Sequence, residues 1–165
     1  MEAIANWYEN TIGSWMPKQI FVLIVSMIPV IELRGGLVIA RLLSMPFWEA
    51  NLFCIIGNII PIPFILLFIR RIFAFMKRHN ILKKGVEKLE ARAAKKNKAK
   101  ERGEFAFLLT FVGIPLPGTG AWTGSIIASL MQYNIKRASI AITLGVLMAA
   151  AIIDILAYAL PGLIL

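Results

Sequence analysis

Pro29-Val30-Ile31-Glu32-Leu33-Arg34-Gly35-Gly36 and Pro115-Leu116-Pro117-Gly118-Thr119-Gly120-Ala121-Trp122-Thr123-Gly124 each interrupt a hydrophobic stretch where a membrane helix should run unbroken. In hydrocarbon an unpaired backbone amide or carbonyl costs several kcal/mol. Irregular backbone at that depth survives only where it is buried in protein or lines a polar cavity. The two breaks are therefore the expected working site.

The rest of the chain supports a membrane setting. Of its 165 residues, 59% are hydrophobic and 16% charged, and the mean hydropathy is +0.76, more than a soluble domain of this size could hide. The net charge of +9 would ordinarily suggest nucleic acid, but 13 of the 18 Lys and Arg fall between Arg70 and Arg102. Such a loop reads as a cytoplasmic topological anchor beside anionic lipid, and no nucleic-acid partner is expected. Leu82, Val86, Leu89 and Ala93 recur at helical spacing and predict a short amphipathic helix within it. At the other end Glu2 and Glu9 argue against a cleaved signal, while Trp7, Tyr8 and Trp15 predict an interfacial helix. Cys54 stands alone in a hydrophobic helix, so neither a disulfide framework nor a metal cluster is expected, and no cofactor.

Segment length sharpens the fold. Gln19 to Val30 and Phe105 to Ile114 would be about 18 and 15 Å long as helices, roughly half of a 30 Å hydrocarbon core. Leu52 to Ile69 and Ala138 to Leu160 are long enough to cross. Either each short segment turns back at its break as a re-entrant hairpin, or it continues to Leu43 or Met131 and the chain makes four ordinary crossings. Hairpins leave only Lys18 and Arg41 outside and put Lys136 and Arg137 inside with the basic loop, the better fit to the positive-inside rule. A shift of 88 positions also matches Pro29 with Pro117, Gly36 with Gly124, Ala40 with Ala128, Ala50 with Ala138 and Gly57 with Gly145.

The expected fold is an all-α integral membrane protein, an inverted repeat of two units, each a re-entrant helical hairpin plus one transmembrane helix. Its parts are an interfacial helix over 1–17, hairpins over 18–45 and 105–133, transmembrane helices over 50–70 and 137–160, and a basic cytoplasmic linker over 71–104. Both termini would lie outside. A homodimer is expected from how little protein encloses a polar site, with Gly57, Gly145 and Ala149 to Ala151 as packing surfaces.

Glu32 and Arg34 carry the sharpest chemistry. Two apart, they diverge on a helix but share a side in extended backbone, which Pro29 and Gly35-Gly36 favour; they would then pair at a hairpin tip. Intramembrane charges usually face a pathway, although a purely structural ion pair is the plainer alternative. In the second break Pro117, Gly118, Gly120 and Gly124 would free backbone amides, and Thr119 and Thr123 add hydroxyls beside Trp122. A helix restarting near Ala121 would aim its positive end into the membrane as an anion site. Those glycines could equally serve a tight turn and close packing. Asp154, three turns from Thr143 and one from Tyr158, marks a polar seam. Asn51 and Asn58 mark another, on a helix that Pro61 and Pro63 should kink.

Together the two broken motifs, across a basic linker, resemble a bacterial family named for small multidrug export, from about Ile20 to Leu160. That family is regarded as a distant relative of the DedA superfamily of VTT-domain proteins, which implies two opposed re-entrant hairpins and, from the DedA side, recycling of lipids such as undecaprenyl phosphate. Glu32 and Arg34 match the small family's pattern. The arginine of the DedA second hairpin has no counterpart between Thr119 and Ser125.

Three functions follow as expectations. In the first, alternating access where the hairpins meet moves an amphipathic substrate, preferably a lipid phosphate, with Arg34, Gly35, Gly36 and the Pro117 to Gly124 turn holding the head group and Glu32 or Asp154 carrying a proton. In the second, Glu32 and Asp154 exchange protons for a lipophilic cation. In the third, the chain organises lipids or assembles membrane proteins without transport. An enzyme is not expected, since the single histidine, His79, lies in the basic loop.

Overall fold

The computed structural model describes residues 2–78 and 98–159, and among these the regular structure is entirely helical. The linker helix expected around Leu82 to Ala93, and His79, lie outside the described residues.

Helix α1 spans Glu2–Thr11. Its Tyr8 is buried against Phe21, ring centroids 5.1 Å apart, and donates its hydroxyl to the Met16 carbonyl. Burial, and then the charge of Glu9, push the phenol above its ordinary value, so it remains a donor. Trp7 and Trp15 stay exposed, as an interfacial position would require.

After Pro17 comes α2, Lys18–Ser26, only nine residues long. The chain turns through Met27 to Ile31 into α3, Glu32–Leu42. Pro46 precedes α4, Phe47–Ile59, and Pro61 opens α5, Pro61–Arg78. Pro61 has no N–H to continue the α4 ladder, yet Ile60 keeps helical angles, so the apolar run Phe47–Ile72 continues across the expected kink. The second half holds α6, Lys98–Gly113, α7, Ala121–Leu130, and α8, Ile135–Ala159.

These helices form two compact units. Residues up to Ile60, with those from Ala149 onward, make one; Pro61–Met148 make the other. The division does not fall in the basic linker. It cuts each long apolar stretch in two, at Ile60 and at Met148, so α5 packs on α7 in the second unit while the last turns of α8 belong to the first.

Glycine sets the packing distance in both. In the first unit a methyl on Gly57 of α4 would lie 2.3 Å from the Leu23 carbonyl of α2, and one on Gly36 of α3 would lie 2.0 Å from Ser26 Oγ and 3.1 Å from Cys54 Sγ. In the second, a methyl on Gly145 of α8 would lie 2.8 Å from Val112 and 3.1 Å from the Leu109 carbonyl of α6, and one on Gly124 of α7 would lie 2.6 Å from Val112. Gly57 and Gly145 are therefore filled within the chain, and Ala149 and Ala150 are buried. Of the residues expected as dimer packing surfaces, Gly57, Gly145, Ala149 and Ala150 are thus packed within the chain, while Ala151 is exposed.

Turn geometry recurs with the sequence offset. After α3, Ser44 N donates to Arg41 O at 2.9 Å and Met45 N to Ala40 O at 3.0 Å. After α7, Gln132 N donates to Ser129 O at 3.1 Å and Tyr133 N to Ala128 O at 2.9 Å. Both are Schellman caps whose left-handed residue is not glycine: Ser44 at φ 55° and Gln132 at φ 54°.

Phe47–Ile72 and Ile135–Leu156 are long and apolar enough to cross a membrane, and only 39% and 33% of their most hydrophobic windows are buried inside the fold. A soluble core helix of this hydropathy would be mostly covered.

Gly57→Ala forces a methyl onto a carbonyl that cannot swing aside, and is expected to cost about 1–3 kcal/mol. Gly103→Ala, with open space around it, should be neutral or gain about 0.5–1 kcal/mol in α6. Thermal melts of detergent-solubilised protein, followed by size-exclusion chromatography, check both.

Candidate functional site

The first break is not extended, which corrects the expected pairing geometry. Ile31 N and Glu32 N both donate to Ile28 O, at 3.2 and 2.9 Å, and Gly35 N returns to Ile31 O at 2.9 Å. The backbone groups of the turn are thus paired locally, as an apolar surrounding requires. Gly35 and Gly36 do not break α3 but lie inside it. A methyl on Gly35 would lie 2.4 Å from Ile31 Cγ2, and Gly36 faces Ser26. The reversal is made instead by Glu32, which opens α3 at φ 49°. A left-handed non-glycine residue costs roughly 1–2 kcal/mol. Glu32 is nonetheless 8% exposed, with its charge acting on half-buried Arg34. The charge of Glu32 thus acts on Arg34 across a left-handed turn rather than a strand-like tip.

A second charged cluster lies in the same unit. Asp154, on the last part of α8, lies near the Asn51 side chain of α4 and feels the charge of Arg41 on α3. Asn51 donates to its own helix at Phe47 O, 3.2 Å. Asn58, two turns on, is 3% exposed, and its Oδ1 has no hydrogen-bond partner. Thr143 belongs to the other unit, so the seam expected along α8 is divided, and the Tyr158 side chain lies outside the described residues. Sequence reasoning used Arg41 only for topology. Its signal was available, since an arginine in an apolar helix needs a counter-charge and Asp154 was the acid without one.

The second break stands in the other unit. Gly118 takes φ 81°, and Thr119 closes the turn with its own hydroxyl, which lies 2.8 Å from both Ile114 O and Leu116 O and accepts from Leu116 N at 3.3 Å. α7 then starts at Ala121, behind extended Gly120, without a side-chain cap. This matches the expected helix restart, with the positive end of α7 at Ala121 to Thr123. Pro117 is exposed at the tip. Thr119 is thus a structural closer of the turn before α7.

Glu32 and Asp154 of the first unit each feel the charge of an arginine, Arg34 and Arg41, and the second break carries no charged residue. No group of three or more His, Cys, Asp or Glu with metal-binding geometry occurs among the described residues.

Thr119→Val removes the hydroxyl that satisfies Ile114 O and Leu116 O and should lower stability by about 1–3 kcal/mol, while Thr119→Ser keeps most of it. Thermal melts in detergent read the difference.

A family model described as "Putative small multi-drug export protein" matches residues 32–152, 121 of the 165 residues. No curated protein and no solved structure gives a match.

Proposed function

The chain belongs to the small multi-drug export family, and from that premise we propose that it is a membrane transporter of amphipathic substrates, working by alternating access and coupled to protons. The observation that carries the proposal is buried Glu32 opening α3 two residues before half-buried Arg34. A carboxylate beside a guanidinium is neutral as a pair. Taking up a proton on the acid releases the arginine for an anion, so proton and anion load together and no net buried charge has to move. A lipophilic cation would meet the arginine's repulsion instead.

The cargo is therefore proposed to be an amphipathic anion, with a lipid phosphate such as undecaprenyl phosphate as the preferred member. Arg34 would hold its head group with Gly35 and Gly36 close by, and Glu32 or Asp154 would carry the proton. The first turn of α7, from Gly120 to Gly124 with Trp122 and Thr123, is proposed as a further element for the anion. The family description favours a second reading, export of lipophilic cations, in which the acids bind the drug and the arginines are structural.

The proposed setting is the bacterial inner membrane, with the basic loop cytoplasmic, both termini outside, and the two 88-offset halves related as an inverted repeat. Enclosing the cargo would be the task of a homodimer, using surfaces other than Gly57 and Gly145.

Arg34→Gln in proteoliposomes separates the cargoes: lipid-phosphate flux should fall at least tenfold, the worth of about 1.4 kcal/mol of lost head-group binding, whereas wild-type protein that moves no lipid phosphate, with cation export intact in Arg34→Gln, would establish the second reading. If purified wild-type protein moves neither substrate and Glu32→Gln changes nothing, the chain is an organiser rather than a transporter. Topology is read separately, by impermeant thiol labelling of single cysteines at Asn6, Asn97 and Asn134 on a Cys54→Ala background. Labelling at 6 alone supports opposed hairpins; labelling at 134 without 6 means four ordinary crossings.

A further inference from the structure

The second unit holds a groove of about 610 Å³ between α5 and α7. α5 supplies Phe64, Leu67, Phe68 and Arg71, and α7 supplies Trp122 and Ile126. Its lining is apolar apart from Arg71. Phe64, Leu67 and Phe68 are each more than half exposed along it. Volumes of this size are typical of small-molecule sites rather than of packing faults.

The groove has a direction. Ser129 Oγ donates to Leu66 O at 3.4 Å and Arg70 donates to Tyr133 O, so α7 runs beside α5 in the same sense. That register puts Trp122 toward the Phe64 end and Arg71 at the opposite end, seven residues or about 10 Å farther along the helix. Arg70 is committed to the cap after α7, while Arg71 stays exposed on the groove. Beyond it the chain enters the segment that carries most of its basic residues.

One apolar end and one cationic end, at the border of a polybasic segment, match one molecule that a bilayer supplies in quantity. We propose that this groove holds an acyl chain of an anionic phospholipid of the cytoplasmic leaflet, with its phosphate on Arg71 and its chain running toward Trp122. A helix from a second copy would cover the apolar floor but would leave Arg71 without an anion in an apolar interface. The phospholipid fills the floor and supplies the counter-charge together. The proposal rests on the membrane setting and sidedness proposed above, and not on the cargo.

The test is photolabelling of the full chain in phosphatidylcholine liposomes that contain a small fraction of phosphatidylglycerol with a diazirine on its acyl chain. Label is expected on α5 and α7 peptides lining the groove, competed by unlabelled phosphatidylglycerol and not by phosphatidylcholine. Filling the groove with Ile126→Trp should remove it, and the milder Leu67→Trp serves if the first variant melts early. Ile140→Trp, on an exposed face of α8, should leave labelling unchanged. Arg71→Gln should reduce the preference for phosphatidylglycerol by about fivefold, the effect of one basic residue beside an anionic surface. Even labelling around α5, labelling indifferent to both tryptophans, equal competition by the two lipids, or protein dimers cross-linked through the groove would each overturn the proposal. Labelling needs no flux, so a failed transport assay leaves it standing, and misplaced sidedness shows in the thiol labelling instead.

Discussion

The close approach of glycine to the backbone of a short helix is the contact on which the rest depends. α2 has nine residues, too few to be stable alone. It is held because Gly57 lets α4 come down onto the Leu23 carbonyl and Gly36 lets α3 close over Ser26. With α2 clamped on two sides, the reversal at Met27 to Ile31 is fixed and Glu32 is forced into its left-handed conformation. Gly145 and Gly124 do the same for α6 through Val112. The tips themselves carry little of this load: Val30 is 92% exposed, and both turns satisfy their backbone with their own atoms.

The two units differ in chemistry. Where α7 sets Ser129 against the Leu66 carbonyl of α5, the positions 88 residues away are Arg41 and Asp154, a neutral hydrogen bond in one unit and an electrostatic partnership in the other. The first unit gathers Glu32, Arg34, Arg41, Asn51, Asn58 and Asp154. The second has a neutral break and an apolar groove ending in a single cation. An amphipathic molecule has the same two chemistries in its own body, a charged head and an apolar tail.

Much of this was legible in the sequence. The two breaks, the short α2 before the first, the restart of α7 at Ala121 and the continuous apolar stretches follow from Pro, Gly and segment length, whereas the helix before the second break starts at Lys98, seven residues ahead of the expected Phe105. The partnership of Glu32 with Arg34 was visible, but its geometry was not. Two glycines after a charged pair look like a break, whereas here they serve close packing, and the strain falls on a glutamate that no propensity would choose for positive φ. Likewise Thr119 reads as a spare hydroxyl until its distance to Ile114 O is known. The Arg41 and Asp154 relation needed the last turns of α8 to be assigned to the first unit, which is a matter of long-range packing rather than of local pattern.

That assignment bears on how such a chain could have arisen. Each unit is completed by the distal part of a long apolar stretch that starts beside the other hairpin, and the two cuts, after Ile60 and after Met148, are one repeat length apart. A chain of a single repeat would carry a hairpin and a long helix whose far end has nothing of its own to pack on. Two such chains, trading those ends, complete each other. Fusion of two such chains would turn an obligate exchange between two molecules into an internal one, and would free each half to keep or lose charges independently.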